Sequence, residues 1–156
     1  YDVVIANHVF EHVGDRTAQA HHLSELARVV KPSGWIYFAV PNRWGLVEPH
    51  YRLALLSWLP TPLRSAYVRL RGRGELYDWE LPSHRQLQAM FRAAGLQPEQ
   101  FTFEAMRIMA AVESPSRRLR LLLGAPRVLQ KLLYPVIPTM VFLLKRASAV
   151  GPSASV

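Results

Sequence analysis

Tyr1-Asp2-Val3-Val4-Ile5-Ala6-Asn7 and, one helical segment later, Trp35-Ile36-Tyr37-Phe38-Ala39-Val40-Pro41-Asn42 decide the fold class of this 156-residue chain. The first stretch, Tyr1–Ala6, is a short β-branched apolar run closed by a polar residue, the pattern of a strand buried on both faces. Asp15 then offers an N-cap. Leu23, Leu26, Ala27 and Val30 recur at i, i+3, i+4 and i+7, which predicts one apolar helical face. Lys31-Pro32-Ser33-Gly34 stops that helix, because proline cannot continue it and glycine tolerates the turn. The second strand, Trp35–Val40, closes on Pro41-Asn42. Strand, helix and strand in roughly forty residues make a βαβ unit, with a parallel sheet and a right-handed crossover. The fold class is α/β.

Downstream the rhythm changes. Residues 43–80 hold two apolar stretches, Leu53–Leu59 and Leu63–Leu70, around Pro60-Thr61-Pro62, and predict a helical insertion or lid over the strand ends. Ser83 with Gln86 forms a capping box, followed by the helical stripe Leu87, Met90, Phe91 and Ala94, with Gly95 as its stop. Alternation over Phe101–Met109 predicts a strand. Pro115–Gly124 and Pro126–Tyr134 predict two short basic helices, Thr139–Lys145 a last strand, and Gly151–Val156 a frayed tail. The domain is thus expected over 1–150 and the tail over 151–156.

Composition narrows the function. Half the chain is hydrophobic and 10% aromatic, so it can bury a core. With no cysteine there is no disulfide framework, thiol nucleophile or thiolate metal site. The net charge of +8 falls in the later two-thirds, and no acidic residue follows Glu113. No apolar run reaches the ~18 residues of a membrane span, the nearest being broken by Pro135 and Pro138. The opening, with no methionine and a strand already under way, is expected of the C-terminal part of a longer protein.

Open parallel sheets bind ligands beyond the carboxyl ends of their strands. The stretches there, Asn7–Val13 and Pro41–Tyr51, are rich in polar groups: Asn7, His8, Glu11, His12, Asn42, Arg43, Glu48, His50 and Tyr51. Tyr1 to Val13 resembles the fourth-strand segment of class I S-adenosylmethionine-dependent methyltransferases. Leu26-Ala27-Arg28-Val29-Val30-Lys31-Pro32-Ser33-Gly34-Trp35 is similar to their following helix and turn, with Ser33 in place of the usual glycine. Val40-Pro41-Asn42-Arg43-Trp44, Glu48-Pro49-His50-Tyr51 and Ala93-Ala94-Gly95-Leu96 resemble later segments in the same order. The resemblance spans residues 1–100. It implies a partial Rossmann-like sheet made of strands 4, 5, 6 and 7 of seven, the last antiparallel. The family's glycine-rich cofactor loop and its ribose-binding acid are not in this sequence. The missing N-terminal half of the same domain is therefore an expected partner.

What the resemblance implies is a methyltransferase, expected to be cytoplasmic, that uses S-adenosyl-L-methionine to methylate a small acceptor, lipophilic in part. Asn7 and His8 occupy the positions lining the cofactor's methionine end. Either could equally cap the strand end. Methyl transfer from a sulfonium is an in-line displacement that needs alignment and a dry site more than a fixed triad. His12 and His50 are the candidate auxiliary bases, and Asn42, Arg43, Tyr51 and Trp58 the candidate substrate contacts. His-x-x-Glu-His at 8–12 is similar to a Glu-x-x-Glu-His metal-binding run of some methyltransferases. The changed first ligand favours a hydrogen-bonding role for Glu11, and no metal is expected. His21, His22 and His84 read as solvated surface. Arg64, Arg69, Arg71 and Arg73 suit an acceptor with an anionic portion. Arg117, Arg118, Arg120, Arg127 and Lys131 suit a solvated helix face or an anionic membrane surface. Nucleic acid is not expected, since no binding module is present. An inactive partner-binding half-domain and a peripheral membrane module are the alternative readings.

Overall fold

Val3–Asn7 (β1) and Trp35–Pro41 (β2) pair in parallel, with Val3 opposite Trp35 and Asn7 opposite Ala39. The structure is a computed structural model that describes residues 1–48, 50–77 and 79–147. Helix Arg16–Val29 (α1) makes the crossover between the two strands. The Asp15 side chain caps it, accepting from the Ala18 amide at 2.9 Å, and Leu23, Leu26 and Val30 are buried as the stripe requires. Gly34 lets the turn press against the start of β1. A Cβ there would lie 2.7 Å from the Asp2 carbonyl oxygen and 2.9 Å from that of Tyr1.

Leu96–Gln100 (β5) and Thr139–Arg146 (β6) complete a four-stranded sheet of order β1-β2-β6-β5, with β6 antiparallel to both neighbours. This is the expected partial Rossmann-like arrangement. The intervening Val47–Glu48 (β3) and Leu53–Ala54 (β4) form a separate antiparallel pair. Helix Thr61–Leu70 (α2) follows a 3₁₀ turn at Leu56–Trp58, so the expected helical insertion is part hairpin, part helix. Helix His84–Ala93 (α3) starts on the reciprocal Ser83–Gln86 capping box. It stops at Gly95, whose φ of 69° suits glycine. Phe10, Phe38, Phe91 and Phe142 are fully buried, with Phe38–Phe91 and Phe91–Phe142 ring centroids 5.2 and 5.3 Å apart in edge-to-face contact. These rings join α3 to the sheet. Burying each contributes roughly 1.5–3 kcal/mol before conformational entropy is counted.

Two expectations fail. Of the expected strand Phe101–Met109, all but Phe101, which caps the element, is helical, within Thr102–Val112 (α4). Glu104, Ala105, Met106, Arg107, Met109, Ala110 and Ala111 are strong helix formers, and the strand that β6 requires is supplied just upstream by Leu96–Gln100. Pro98 is tolerated there because β5 is an edge strand. Likewise β1 is not buried on both faces, for Val3 is 61% and Ile5 70% exposed. It is the other edge, and nothing among the described residues covers its outer face. Helices Arg117–Gly124 (α5) and Arg127–Leu133 (α6) and strand β6 fall where expected. The predicted tail, 151–156, lies outside the described residues.

Candidate functional site

The carboxyl ends of β1 and β2 lie side by side, bringing the Asn7–His12 turn beside the Asn42–Tyr51 loop. Asn7 is exposed at the end of β1. His8 follows in the left-handed region at φ 52°, its amide bonded to the Ala39 carbonyl at 3.0 Å. Histidine is among the residues that adopt this conformation. Here it aims the ring inward. A 3₁₀ turn at Phe10–His12 buries Phe10 in the core and draws Glu11 in with it.

A polar cluster results. The Glu11 side chain is 0% exposed, and its Oε1 lies 3.3 Å from His8 Nδ1, 3.6 Å from His50 Nε2 and 4.0 Å from His12 Nε2. Neither carboxylate oxygen of Glu11 has a hydrogen-bond partner, so the expected bonding across the top of the sheet is not found. His50 Nδ1 meets Glu48 Oε1 at 3.0 Å, and the second oxygen of Glu48 accepts the Tyr51 amide at 2.6 Å. Glu48 therefore orients the His50 ring and leaves Nε2 toward Glu11. Trp79 closes the cluster, its ring 4.2 Å from that of His50 and 4.8 Å from that of His12, both edge-on. Sequence reasoning missed Trp79. It is separated from His50 and Tyr51 by β4 and α2, and no periodicity marks it.

Beside this cluster lies a cleft of about 770 Å³ lined by Asn42, Arg43, Trp44, His84, Tyr134 and Met140 among others. Burial pushes the Tyr134 phenol up to about 12, so it stays neutral. Arg43 also lines a smaller cavity of about 280 Å³ with Trp79, Arg64 and Tyr77. Burial, and next the Glu48 carboxylate, raise the Tyr77 phenol well above its usual range.

The predicted substrate contacts differ in what they leave available. Asn42 faces the cleft, but its side-chain amide donates to the Pro135 and Ile137 carbonyls at 2.8 and 2.9 Å. Its Oδ1 accepts the Trp44 amide at 3.0 Å. Trp58 donates to the Gly45 carbonyl at 3.2 Å and packs edge-on against Trp44. The Arg43 guanidinium lies over the Trp44 ring at 5.5 Å. Tyr51 donates its hydroxyl to the Leu76 carbonyl at 2.8 Å. Arg64 is buried and holds the Leu59 and Ser57 carbonyls at 2.8 and 3.3 Å, an internal brace and not an anion site. His22 and His84 are not solvated surface either. Both are part-buried, and desolvation lowers both pKa values.

A mixed α/β sheet whose two adjacent parallel strands end together at a polar site is the arrangement of nucleotide-type binding folds. Residues 1–100 match the methyltransferase domain family, and the chain belongs to it. No curated protein matches the chain. Among solved structures it is similar to an O-methyltransferase family protein from Burkholderia thailandensis (16% identity, 95% of this chain and 31% of that one, TM-score 0.45). It is also similar to a putative methyltransferase of Haloferax volcanii solved with the Trm112 activator (20% identity, 96% and 55% covered, TM-score 0.47). A third is phosphoethanolamine N-methyltransferase 2 of Haemonchus contortus with S-adenosyl-L-methionine (14% identity, 95% and 34% covered, TM-score 0.44). The chain thus spans between 31% and 55% of the length of these proteins.

Proposed function

We propose that this chain forms one wall of an S-adenosyl-L-methionine-dependent methyltransferase that methylates a small, partly lipophilic acceptor. The observation carrying this reading is the family match over residues 1–100, with Asn7 and His8 beside Asn42 and Arg43 at neighbouring strand ends. The residues present fit only part of the cofactor. The exposed Asn7 amide suits its polar methionine end. The one acid in the Asn7–His12 turn, Glu11, is buried among histidines, and the strand ends here carry no glycine-rich loop. When bound, the cofactor supplies an activated methyl group. The chain's own residues orient the acceptor in the cleft, with Trp44, Met140 and Tyr134 giving it an apolar wall. His12 and His50 are the candidate bases; they sit in the cluster around Glu11 and do not line that cleft. As the terminal strand of the sheet, β1 has an edge that suits pairing with a further strand of the same domain.

The test is a titration of S-adenosylhomocysteine into the isotope-labelled chain, followed by amide chemical shifts. Shifts centred on Asn7–Phe10 and Asn42–Trp44 are expected. Shifts confined elsewhere, or none at saturating ligand, refute the reading.

A second reading concerns the far end of the chain. Leu121, Val128 and Leu132 are 68%, 71% and 71% exposed, on helices bearing Arg117, Arg118, Arg120, Arg127 and Lys131. This combination suits peripheral contact with an anionic membrane. No helix among the described residues is long and apolar enough to cross one. Co-sedimentation with vesicles, stronger with anionic lipid and abolished by high salt, is the expected result. Indifference to lipid charge rejects it.

A further inference from the structure

We propose that His8, Glu11 and His50 form a binding site for one divalent transition cation of the zinc type. Their ligand atoms, one from each residue, lie within 4.8 Å of one another. Ligands held ~2.0–2.1 Å from a tetrahedral cation stand ~3.3–3.4 Å apart. The two Glu11 Oε1 edges, 3.3 Å to His8 Nδ1 and 3.6 Å to His50 Nε2, are close to that value, and the two histidine nitrogens stand within 4.8 Å of each other.

Three further observations point the same way. First, a carboxylate with no exposure and no hydrogen bond is costly to bury. Glu11 is aimed at imidazole nitrogens, and a shared cation removes that cost. Second, His50 presents Nε2 to Glu11 because its Nδ1 faces Glu48. A carboxylate on the far nitrogen is the arrangement that orients a metal-bound histidine and raises its basicity. With Glu48 also buried, the two carboxylates balance a double positive charge. Third, His8 holds a left-handed backbone conformation at φ 52°, which is where its ring reaches Glu11.

The ligand set is two imidazoles and one carboxylate. It suits zinc, cobalt or iron, and disfavours magnesium, which prefers oxygen ligands. The site opens to solvent through His8 and His50, whose side chains are 30% and 28% exposed, so a fourth position can take water or an acceptor oxygen. With His50 on the cation, the candidate base is His12, farther out, 45% exposed and 4.0 Å from Glu11 Oε1. The inference concerns the cation alone and does not depend on the methyl-transfer reading.

The experiment titrates Zn²⁺, and separately Co²⁺, into the 156-residue chain by calorimetry at about pH 7.5, where histidine is largely neutral. One equivalent is expected to bind tightly, with millimolar Mg²⁺ failing to compete, and Co²⁺ is expected to give the visible absorption of a four-coordinate ion. Glu11→Gln and His50→Ala should each weaken binding by about 100-fold or more, and Glu48→Gln by about 10–100-fold. His8→Asn is the variant that spares the fold, because asparagine also accepts a left-handed backbone. It too should abolish the cobalt absorption while circular dichroism is unchanged. His21→Ala, on the exposed face of α1, should leave binding intact. If no equivalent binds, the proposal fails. An equivalent that survives His8→Asn and Glu11→Gln would belong to surface histidines and overturn it equally.

Discussion

Replacing Asn42 by alanine tests whether this side chain braces the fold or contacts a ligand. It is 3% exposed and makes three bonds, donating to Pro135 and Ile137 and accepting from Trp44. Each such bond contributes about 0.5–1.5 kcal/mol net, and leaving a buried group unsatisfied costs about 1–3 kcal/mol. The Ile137 carbonyl, in the buried bond, dominates. The expected loss is about 2–4 kcal/mol, which for a chain of this size lowers the melting temperature by roughly 5–15 °C. Urea unfolding should show a lower midpoint with an unchanged slope. Asn42→Asp should be at least as damaging, since it sets a carboxylate against two carbonyl oxygens. A loss below about 0.5 kcal/mol, the range of ordinary surface changes, would refute the bracing role and return Asn42 to the substrate contacts.

Three other predictions are simpler. His84 is part-buried against Tyr134 and Phe142, and desolvation holds its pKa below the usual histidine value. The folded state therefore resists protonation. The stability contributed is present above about pH 6.5 and is lost as pH falls through the lowered folded value. The difference in urea midpoint between the parent and His84→Gln should change across that window, and a constant difference refutes this. Gly34→Ala forces a Cβ against the Asp2 carbonyl and should destabilise by about 1–3 kcal/mol. An unchanged melting temperature would show that the turn can open freely. Leu55 holds φ 58° with its side chain 47% exposed. Because a left-handed conformation costs an L-residue roughly 1–2 kcal/mol, Leu55→Gly should be neutral or stabilising in thermal melts, and a clear loss would show that the side chain packs more than its exposure suggests.

Local chemistry explains where the sequence was readable. Asp15 and Ser83 cap the helices they were expected to cap, Gly95 stops α3, and the two parallel strands lie where the apolar runs put them. Each of these choices is decided within a few residues, by a side chain bonding a nearby amide or by a periodicity that only one element satisfies. The grouping of Asn7–His12 with Asn42–Tyr51 was legible for the same reason, since a parallel pair places both carboxyl ends together whatever follows.

Where partners from distant positions compete, the sequence alone did not decide. Leu96–Gln100 is a poor strand by composition and becomes one because β6 presents an edge, and the residues after it are then released to form α4. Glu11, His8, His50 and Glu48 lie between positions 8 and 50, and their separations and the burial of the two carboxylates exist only once the loop after β2 folds back over β1. Asn42 was legible as a polar residue at a strand end. Only tertiary packing commits its amide to the Pro135 and Ile137 carbonyls, because hydrogen bonds between segments ninety-odd residues apart are set by topology and not by local propensity.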